Sequence, residues 1–216
     1  MIAFLGSLAV VVLAEMGDKT QLLAMAMALR FPVPAVLWGV ALATLLNHGL
    51  AVAFGTYAGR ALDLQLIQVV AAVSFIGFGL WTIRGDQLAG EEKRTSSWGP
   101  VATVAIAFFL AEMGDKTQLA TIALAANYQA PTATLLGTTG GMLVADAIGI
   151  YAGIVAGRRV PERQLKWFAA LIFAGFGLYG LFRSLPAHYL SPLTMAAILG
   201  FTALAFWLVQ RHSSRS

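Results

Sequence analysis

The chain contains no cysteine, and only 11% of its 216 residues are charged. Without cysteine it has no disulfide, no thiolate ligand for a metal ion and no cysteine nucleophile. A soluble domain carries about 25% charged residues, so the scarcity of charge argues against a soluble fold. Hydrophobic residues make up 59% of the chain, and the mean hydropathy is +0.78. We predict an integral membrane protein.

The sequence also lacks the motifs of an enzyme. It has no nucleophile motif, no metal-hydrolase motif and no nucleotide-binding loop, since its glycines lie in apolar segments. Basic residues outnumber acidic ones by 14 to 10, but they cluster in short loops, where they indicate membrane orientation rather than nucleic-acid binding. We predict neither an enzyme nor a nucleic-acid-binding protein, and no cofactor.

One ten-residue string occurs twice. Leu-Ala-Glu-Met-Gly-Asp-Lys-Thr-Gln-Leu occupies residues 13–22 and again 110–119, each time within apolar sequence. A charged group at bilayer depth costs roughly 2.5–3.5 kcal/mol on insertion scales, so such groups usually face one another or an ion path. Two copies of Glu, Asp and Lys therefore predict one shared site.

Seven apolar stretches approach the roughly 20 residues that a helix needs to cross a bilayer. They are residues 2–29, 33–57, 66–83, 100–126, 132–156, 167–182 and 190–209. The longest polar stretch separates two halves of three spans each. We expect a first repeat at 1–84, a polar cytoplasmic linker at 85–97, a second repeat at 98–185, a seventh span at 186–210 and a tail at 211–216.

The two halves match beyond the motif. Residues 58–60 repeat at 156–158, and the Phe-x-Gly-Phe-Gly-Leu string at 75–80 repeats at 173–178. Because each half has three spans, the second half must enter the membrane from the opposite side. In secondary transporters such an inverted repeat places the substrate site near the midplane, between the halves. We predict an all-α integral membrane protein with two inverted-topology three-helix repeats and one extra C-terminal transmembrane helix.

Loop charges predict the orientation. If the N-terminus is outside, the outer side carries only Arg60 and Arg183. The cytoplasmic side then carries ten basic residues: Arg30, Arg84, Lys93, Arg94, Arg158, Arg159, Arg163, Lys166, Arg211 and Arg215. The positive-inside rule favours this N-out, C-in arrangement. The basic run at 158–166 also suits contact with anionic lipid.

The motif acids predict a cation site. On a continuous helix, Glu15, Asp18, Lys19 and Leu22 share one face, as do their counterparts at 112, 115, 116 and 119. A break at the motif glycine would instead add backbone carbonyls to the ligands. Oxygen-rich pockets favour hard cations such as Mg²⁺, Ca²⁺ and Mn²⁺. The candidate ligands are Glu15, Asp18, Glu112 and Asp115, with auxiliary oxygens on Thr20, Gln21, Thr117 and Gln118.

Charge counting predicts competition between metal and proton. Four carboxylates and two lysines, Lys19 and Lys116, leave a net charge of minus two, which suits one divalent ion. Once the ion leaves, the crowded carboxylates repel one another and bind protons. This chemistry is typical of a cation/proton antiporter. The structural alternative is an ion-pair network, in which Glu15 or Asp18 pairs with Lys116 and Glu112 or Asp115 pairs with Lys19.

A fifth acid, Asp146, lies in the fifth span, and Asn47 and His48 lie in the matching part of the second span. His48 aligns roughly with Asp146. These residues are either auxiliary ligands or a proton relay, since histidine titrates near neutrality. The alternative is a hydrogen bond between the two helices.

The doubled Glu-x-Gly-Asp-Lys-Thr motif in two three-helix halves resembles the UPF0016 or Gdt1 family of manganese and calcium transporters. The resemblance covers nearly the whole chain, and both motif copies are intact. It implies exchange of Mn²⁺ or Ca²⁺ for protons, with Glu15, Asp18, Glu112 and Asp115 as ligands. For a compact chain of the bacterial type it implies Mn²⁺ export across the plasma membrane. Two rival functions remain, an exporter of small organic cations and a divalent-cation channel with acidic rings.

Overall fold

The computed structural model describes residues 1–84, 96–156, 162–186 and 189–213. Within these ranges the chain forms nine helices and no strand, so the predicted all-α fold is confirmed. The helices are α1 (Ile2–Glu15), α2 (Lys19–Ala28), α3 (Val33–Ala61), α4 (Leu64–Arg84), α5 (Pro100–Glu112), α6 (Lys116–Tyr128), α7 (Pro131–Ala156), α8 (Glu162–Ser184) and α9 (Pro192–Ser213). The predicted linker apart from its last two residues, and the basic residues Lys93, Arg94, Arg158, Arg159 and Arg215, lie outside the described residues.

Five of these helices, α3, α4, α7, α8 and α9, are long and apolar enough to cross a membrane. The predicted spans at 2–29 and 100–126 are instead each divided into two helices, of which α1 and α5 are apolar but short. Both divisions fall at the repeated motif. The prediction of a continuous helix through the motif is therefore wrong. The alternative, a break at the motif glycine, is what the structure contains in both copies.

The break is caused by the backbone of Gly17 and Gly114. Their φ angles are 74° and 76°, in the left-handed region that costs other L-residues roughly 1–2 kcal/mol. The aspartate that follows each glycine has an extended backbone and is the N-cap of the next helix, Asp18 for α2 and Asp115 for α6. The chain therefore leaves one helix at a glutamate and enters the next at an aspartate.

A glutamine side chain stabilises each break. Gln21 Oε1 accepts a hydrogen bond from the Gly17 amide at 2.9 Å, and Gln118 Oε1 accepts one from the Gly114 amide at 2.7 Å. Each of these amides lies between two helices, after the last residue of one and before the N-cap of the next, so it belongs to neither helix. The glutamine oxygens, which were predicted as auxiliary ligands, are thus engaged by the backbone.

Each broken helix lies along the long second helix of the other half. α1 and then α2 follow α7 in the same direction, and α5 and then α6 follow α3 in the same direction. Glycines permit the close approach of these helices. The approaches that set the directions are Gly137 to Phe4, Gly153 to Met25, Gly39 to Val104 and Gly55 to Ile122.

The third helices of the two halves, α4 and α8, pack against each other in opposite directions. A Cβ atom on Gly79 would lie 2.8 Å from the Ala170 carbonyl oxygen, and one on Gly177 would lie 2.7 Å from the Ala72 carbonyl oxygen. The second glycine of each Phe-x-Gly-Phe-Gly-Leu string therefore creates the contact. α9 packs on this pair through Phe206 and is otherwise largely exposed.

Candidate functional site

All four motif carboxylates are buried. Glu15 and Glu112 are fully buried at the ends of α1 and α5, and Asp18 and Asp115 are nearly so at the starts of α2 and α6. One carboxylate oxygen from each of Glu15, Glu112 and Asp115 lies within 4.8 Å of the other two. The structure thus brings both motif copies to one place. Asp18 lies outside this triplet.

Two ion pairs connect the halves. Lys116 Nζ lies 2.6 Å from Asp18 Oδ1, and Lys19 Nζ lies 2.9 Å from Asp115 Oδ1. Of the pairings that the sequence left open, the structure contains the two that use aspartates. The lysines therefore neutralise the aspartates, while the glutamates have no basic partner in these pairs. The two pairs differ in exposure, since the Lys19 side chain is 18% exposed and that of Lys116 only 2%.

A threonine hydroxyl orients each glutamate. Thr117 Oγ1 donates to Glu112 Oε2 at 2.7 Å, and Thr20 Oγ1 donates to Glu15 Oε2. The other oxygen of each glutamate, Oε1, is buried and has no hydrogen-bond partner among the described residues. A buried charged oxygen without a partner is costly. These two oxygens therefore mark where a cation would bind.

Asn47 and His48 are both buried in α3. Asn47 Nδ2 donates to the Phe109 carbonyl oxygen at 3.0 Å, one of the last carbonyls of α5 that have no partner within the helix. His48 is fully buried, and neither ring nitrogen has a hydrogen-bond partner in the described part of the chain. Asn47 thus supports the break in the second motif.

Asp146 lies near the triplet. Its side chain is fully buried, neither carboxylate oxygen has a hydrogen-bond partner among the described residues, and its charge interacts with those of Glu15 and Asp18. The alternative in which Asp146 and His48 are hydrogen-bonded to each other is therefore wrong.

The charges and oxygens of the site suit one divalent cation. The two ion pairs are each neutral, so Glu15 and Glu112 supply the remaining two negative charges of the motifs. Carboxylate oxygens are preferred ligands of Mg²⁺, Ca²⁺ and Mn²⁺. Ligand atoms that lie within 4.8 Å of one another can bind a single ion together.

Sequence analysis missed an aromatic cluster beside these carboxylates. The rings of Phe75, Phe78 and Phe173 have centroids 5.9–6.1 Å apart. They pack in one cluster with apolar residues that include Ala14, which precedes Glu15, and Ala120 of α6. The repeated Phe-x-Gly-Phe-Gly-Leu string was the available signal, but it was used only to match the two halves.

Comparison with known proteins identifies the family of the chain. The model of the family "Divalent cation/proton antiporter GDT1" matches residues 3–89 and 100–188. A Vibrio cholerae protein named "Putative manganese exporter" is 39% identical over 170 residues, which cover 77% of this chain and 84% of that protein. A GDT1-like protein of Synechocystis is 29% identical over 204 residues, covering 82% and 95% of the two chains.

A plant relative matches over a similar part of the chain. GDT1-like protein 4 of rice is 27% identical over 206 residues, which cover 83% of this chain and 73% of that protein. No solved structure gives a significant match. The resemblance seen in the doubled motif is confirmed by the family match. The chain belongs to the GDT1 family of divalent cation/proton antiporters, which are membrane transporters and not enzymes.

Proposed function

We propose that this protein exports a divalent cation from the cytoplasm in exchange for protons, with Mn²⁺ as its main substrate and Ca²⁺ as the next best. The observation that carries this proposal is the pair of buried, unpartnered Oε1 atoms on Glu15 and Glu112. Each belongs to a triplet of carboxylates, completed by Asp115, whose ligand atoms lie within 4.8 Å of one another. Such an arrangement is stable only with a cation or protons between the acids.

The proposed ligands are Glu15, Glu112 and Asp115, with Asp18 as a fourth through its Oδ2. Asp18 Oδ2 is buried without a partner, so one of its oxygens is available even while Oδ1 binds Lys116. Proton exchange follows from the same groups, because each carboxylate that loses the ion can bind a proton. Three carboxylates whose ligand atoms lie within 4.8 Å of one another favour a bare ion over an organic cation, whose ammonium group carries a bulky substituent.

The identity of the ion and the direction of transport rest on two supports. The hard oxygen ligands suit Mn²⁺ and Ca²⁺ alike. The Vibrio cholerae relative is named for manganese export, which favours Mn²⁺ and outward transport for this chain. We include Ca²⁺ as a substrate because the doubled motif resembles that of the wider family of manganese and calcium transporters.

The proposed architecture has seven spans arranged as an inverted repeat. α1 and α2 together form the first span, and α5 and α6 together form the fourth. Two observations support the inversion. α1–α2 runs along α7 while α5–α6 runs along α3, and α4 and α8 are antiparallel. The short turn between α2 and α3 reverses the chain, so the two broken helices run in opposite directions. We place the N-terminus outside and the C-terminus in the cytoplasm of a bacterial plasma membrane, as the loop charges favour.

Flux measurements on reconstituted protein test the function. We expect Mn²⁺ to enter proteoliposomes faster when their lumen is acidic, because protons then leave down their gradient as Mn²⁺ enters. An alkaline lumen should slow entry, and an internal pH dye should show alkalinisation during uptake. Ca²⁺ uptake should depend on the pH gradient in the same direction but be slower. Uptake of Mg²⁺ is measured as well, to compare the preference among the three ions. Mn²⁺ flux that ignores the pH gradient would contradict proton exchange.

A further inference from the structure

Asp146 of α7 is an acid that the proposed ligand set leaves unexplained. It is fully buried, and neither carboxylate oxygen has a hydrogen-bond partner in the described part of the chain. An isolated charge at this depth is costly, and such acids usually face a partner or an ion path. A cation near Asp146 would remove this cost.

One glutamine fixes α7 at the level of the first motif. Gln21 Nε2 donates to the Ala145 carbonyl oxygen at 2.8 Å, while its Oε1 accepts from the Gly17 amide. Gly149 makes room for this side chain, because a Cβ atom there would lie 2.9 Å from Gln21 Cδ. The residue before Asp146 is thus tied directly to the break that follows Glu15.

The charges around Asp146 are negative. Glu15 and Asp18 act on it most strongly, and Asp146 in turn acts on Glu112. The two motif lysines are engaged in their ion pairs with aspartates. A cation that binds Glu15 Oε1 from the α7 side would therefore also reduce the repulsion between Glu15 and Asp146.

We propose that Asp146 is a further ligand of the transported divalent cation and that it acts together with Glu15. This inference rests on the proposed function. The counterpart of Asp146 in α3 is His48, so the two halves differ at this point. The ion site is then asymmetric, with the extra acid on the side of the first motif.

Binding of Mn²⁺ to the purified full-length protein tests this inference without a transport assay. The electron paramagnetic resonance signal of free Mn²⁺ falls as the ion binds. We expect Asp146→Asn to weaken binding at least about tenfold, which corresponds to 1.4 kcal/mol. Asp146→Glu should recover part of the affinity. His48→Gln, the matched change in α3, should bind Mn²⁺ as the wild type does.

The outcomes separate the two proposals. Wild-type affinity in a folded Asp146→Asn variant would overturn the inference while leaving the proposed function intact. Absence of Mn²⁺ binding by the wild-type protein would overturn the proposed function itself. Folding of each variant is checked by its elution as a single species and by its Tm, and Asp146→Glu covers the case in which the asparagine variant does not fold.

A second, independent observation concerns how the α4–α8 pair meets the broken helices. α4 packs along α6, and α8 contacts α1. Within the described ranges, α8 has no comparable packing with α2, nor α4 with α5. The α4–α8 pair is therefore displaced toward the end of the molecule where α1 begins and α6 ends.

The side chains show the same asymmetry. Phe78 of the aromatic cluster is 5% exposed, whereas its counterpart Phe176 is 47% exposed. Leu110 of α5 is exposed, whereas its counterpart Leu13 of α1 is half-buried. Since the halves share their sequence pattern, this difference reports the position of the α4–α8 pair rather than a difference in hydrophobicity.

We infer that the cluster of Phe75, Phe78 and Phe173 closes the path to the carboxylates from the end where α1 begins. Leu110, Met113 and Gly114 near the end of α5 are exposed, so we place the opening of the path on the side where α2 ends and α5 begins. Transport then requires the α4–α8 pair to move toward α2 and α5, so that Phe176 becomes buried as Phe78 is here. The glycine contacts between α4 and α8 allow the two helices to move as one body.

The absence of cysteine makes this inference directly testable. Single-cysteine variants Leu110→Cys and Leu13→Cys occupy matched positions in the two halves. In the protein without divalent cation, we expect a water-soluble thiol reagent to label Leu110→Cys at least about tenfold faster. Phe78→Ala should speed labelling of Leu13→Cys, and the matched Phe176→Ala should not. Equal labelling of the two cysteines, or no effect of Phe78→Ala, would overturn the inference.

Discussion

Glu112→Gln is expected to abolish transport of divalent cations and to weaken Mn²⁺ binding by about 100-fold or more. Truncating one partner of a buried charge pair in a binding site costs about 2–5 kcal/mol, and each 1.4 kcal/mol is a factor of ten in affinity. Glu112 is fully buried, and its Oε1 is one of the two unpartnered oxygens at the centre of the site. The substitution keeps the size of the side chain and removes its charge.

Glu15→Gln provides the matched test in the first motif. Its carboxylate is buried and held by a threonine hydroxyl in the same way, so we expect a loss of the same size. Arg60→Gln serves as the control, because Arg60 is exposed near the end of α3. It should transport nearly as the wild type does. Transport of Mn²⁺ by a folded Glu112→Gln variant at the wild-type rate would remove Glu112 from the ligands.

The glutamates are cleaner tests of ion binding than the aspartates. Neutralising Asp115 would remove a proposed ligand and also leave Lys19 without its partner at 2.9 Å. A loss of transport in that variant would have two explanations. Glu15 and Glu112 are not in an ion pair with either motif lysine, so their amide variants change the ion site without stranding a lysine.

The repeated motif was sufficient to predict one shared site, for a physical reason. Charged residues inside apolar sequence must meet one another or an ion, and two identical sets in two similar halves can meet only between the halves. Burial of Glu15 and Glu112 and their approach within 4.8 Å agree with this expectation. The helical content likewise follows from the long apolar runs, because a helix satisfies its own backbone in lipid.

The local geometry of the motif was harder to predict. Helical spacing placed Glu15 and Asp18 on one face, but the positive φ of Gly17 ends the helix between them. A glycine inside an apolar run is also common in continuous membrane helices, so sequence spacing alone did not distinguish the two cases. The glutamine four residues later was the missing signal, because its side-chain oxygen replaces the lost helical acceptor of the glycine amide.

The choice of ion pairs and the asymmetry of the halves also lay beyond the sequence. The sequence offered each motif lysine two acidic residues of the other motif as possible ion-pair partners. The break in the motif helix decides which of the two the lysine contacts. Phe78 and Phe176 occupy equivalent positions in the two Phe-x-Gly-Phe-Gly-Leu strings, yet one is buried and the other is exposed. The sequence repeat predicts the features that the two halves have in common. The position of the α4–α8 pair relative to the broken helices depends on the conformation of the protein, which the repeat does not predict.

Lys116→Met is expected to lower stability by about 3–5 kcal/mol, the typical effect of leaving a buried charge without its partner. Lys116 is almost fully buried and lies 2.6 Å from Asp18, so its loss strands Asp18 beside three other acids. A marked fall in Tm of the detergent-purified protein should report this. Lys19→Met is the matched control, and its effect should be smaller because the Lys19 side chain is 18% exposed and solvent screens its pair.

The double variant Asp18→Asn, Lys116→Met separates the structural role of Asp18 from its proposed role as a ligand. Removing both charges should restore most of the stability lost in Lys116→Met, since the stranded carboxylate is gone. If Asp18 also binds the ion, the double variant should be stable but bind Mn²⁺ more weakly than wild type. Equal Tm values for Lys116→Met and Lys19→Met would contradict the difference in burial. Wild-type Mn²⁺ affinity in the double variant would leave Asp18 with a structural role alone, and the ion with Glu15, Glu112 and Asp115.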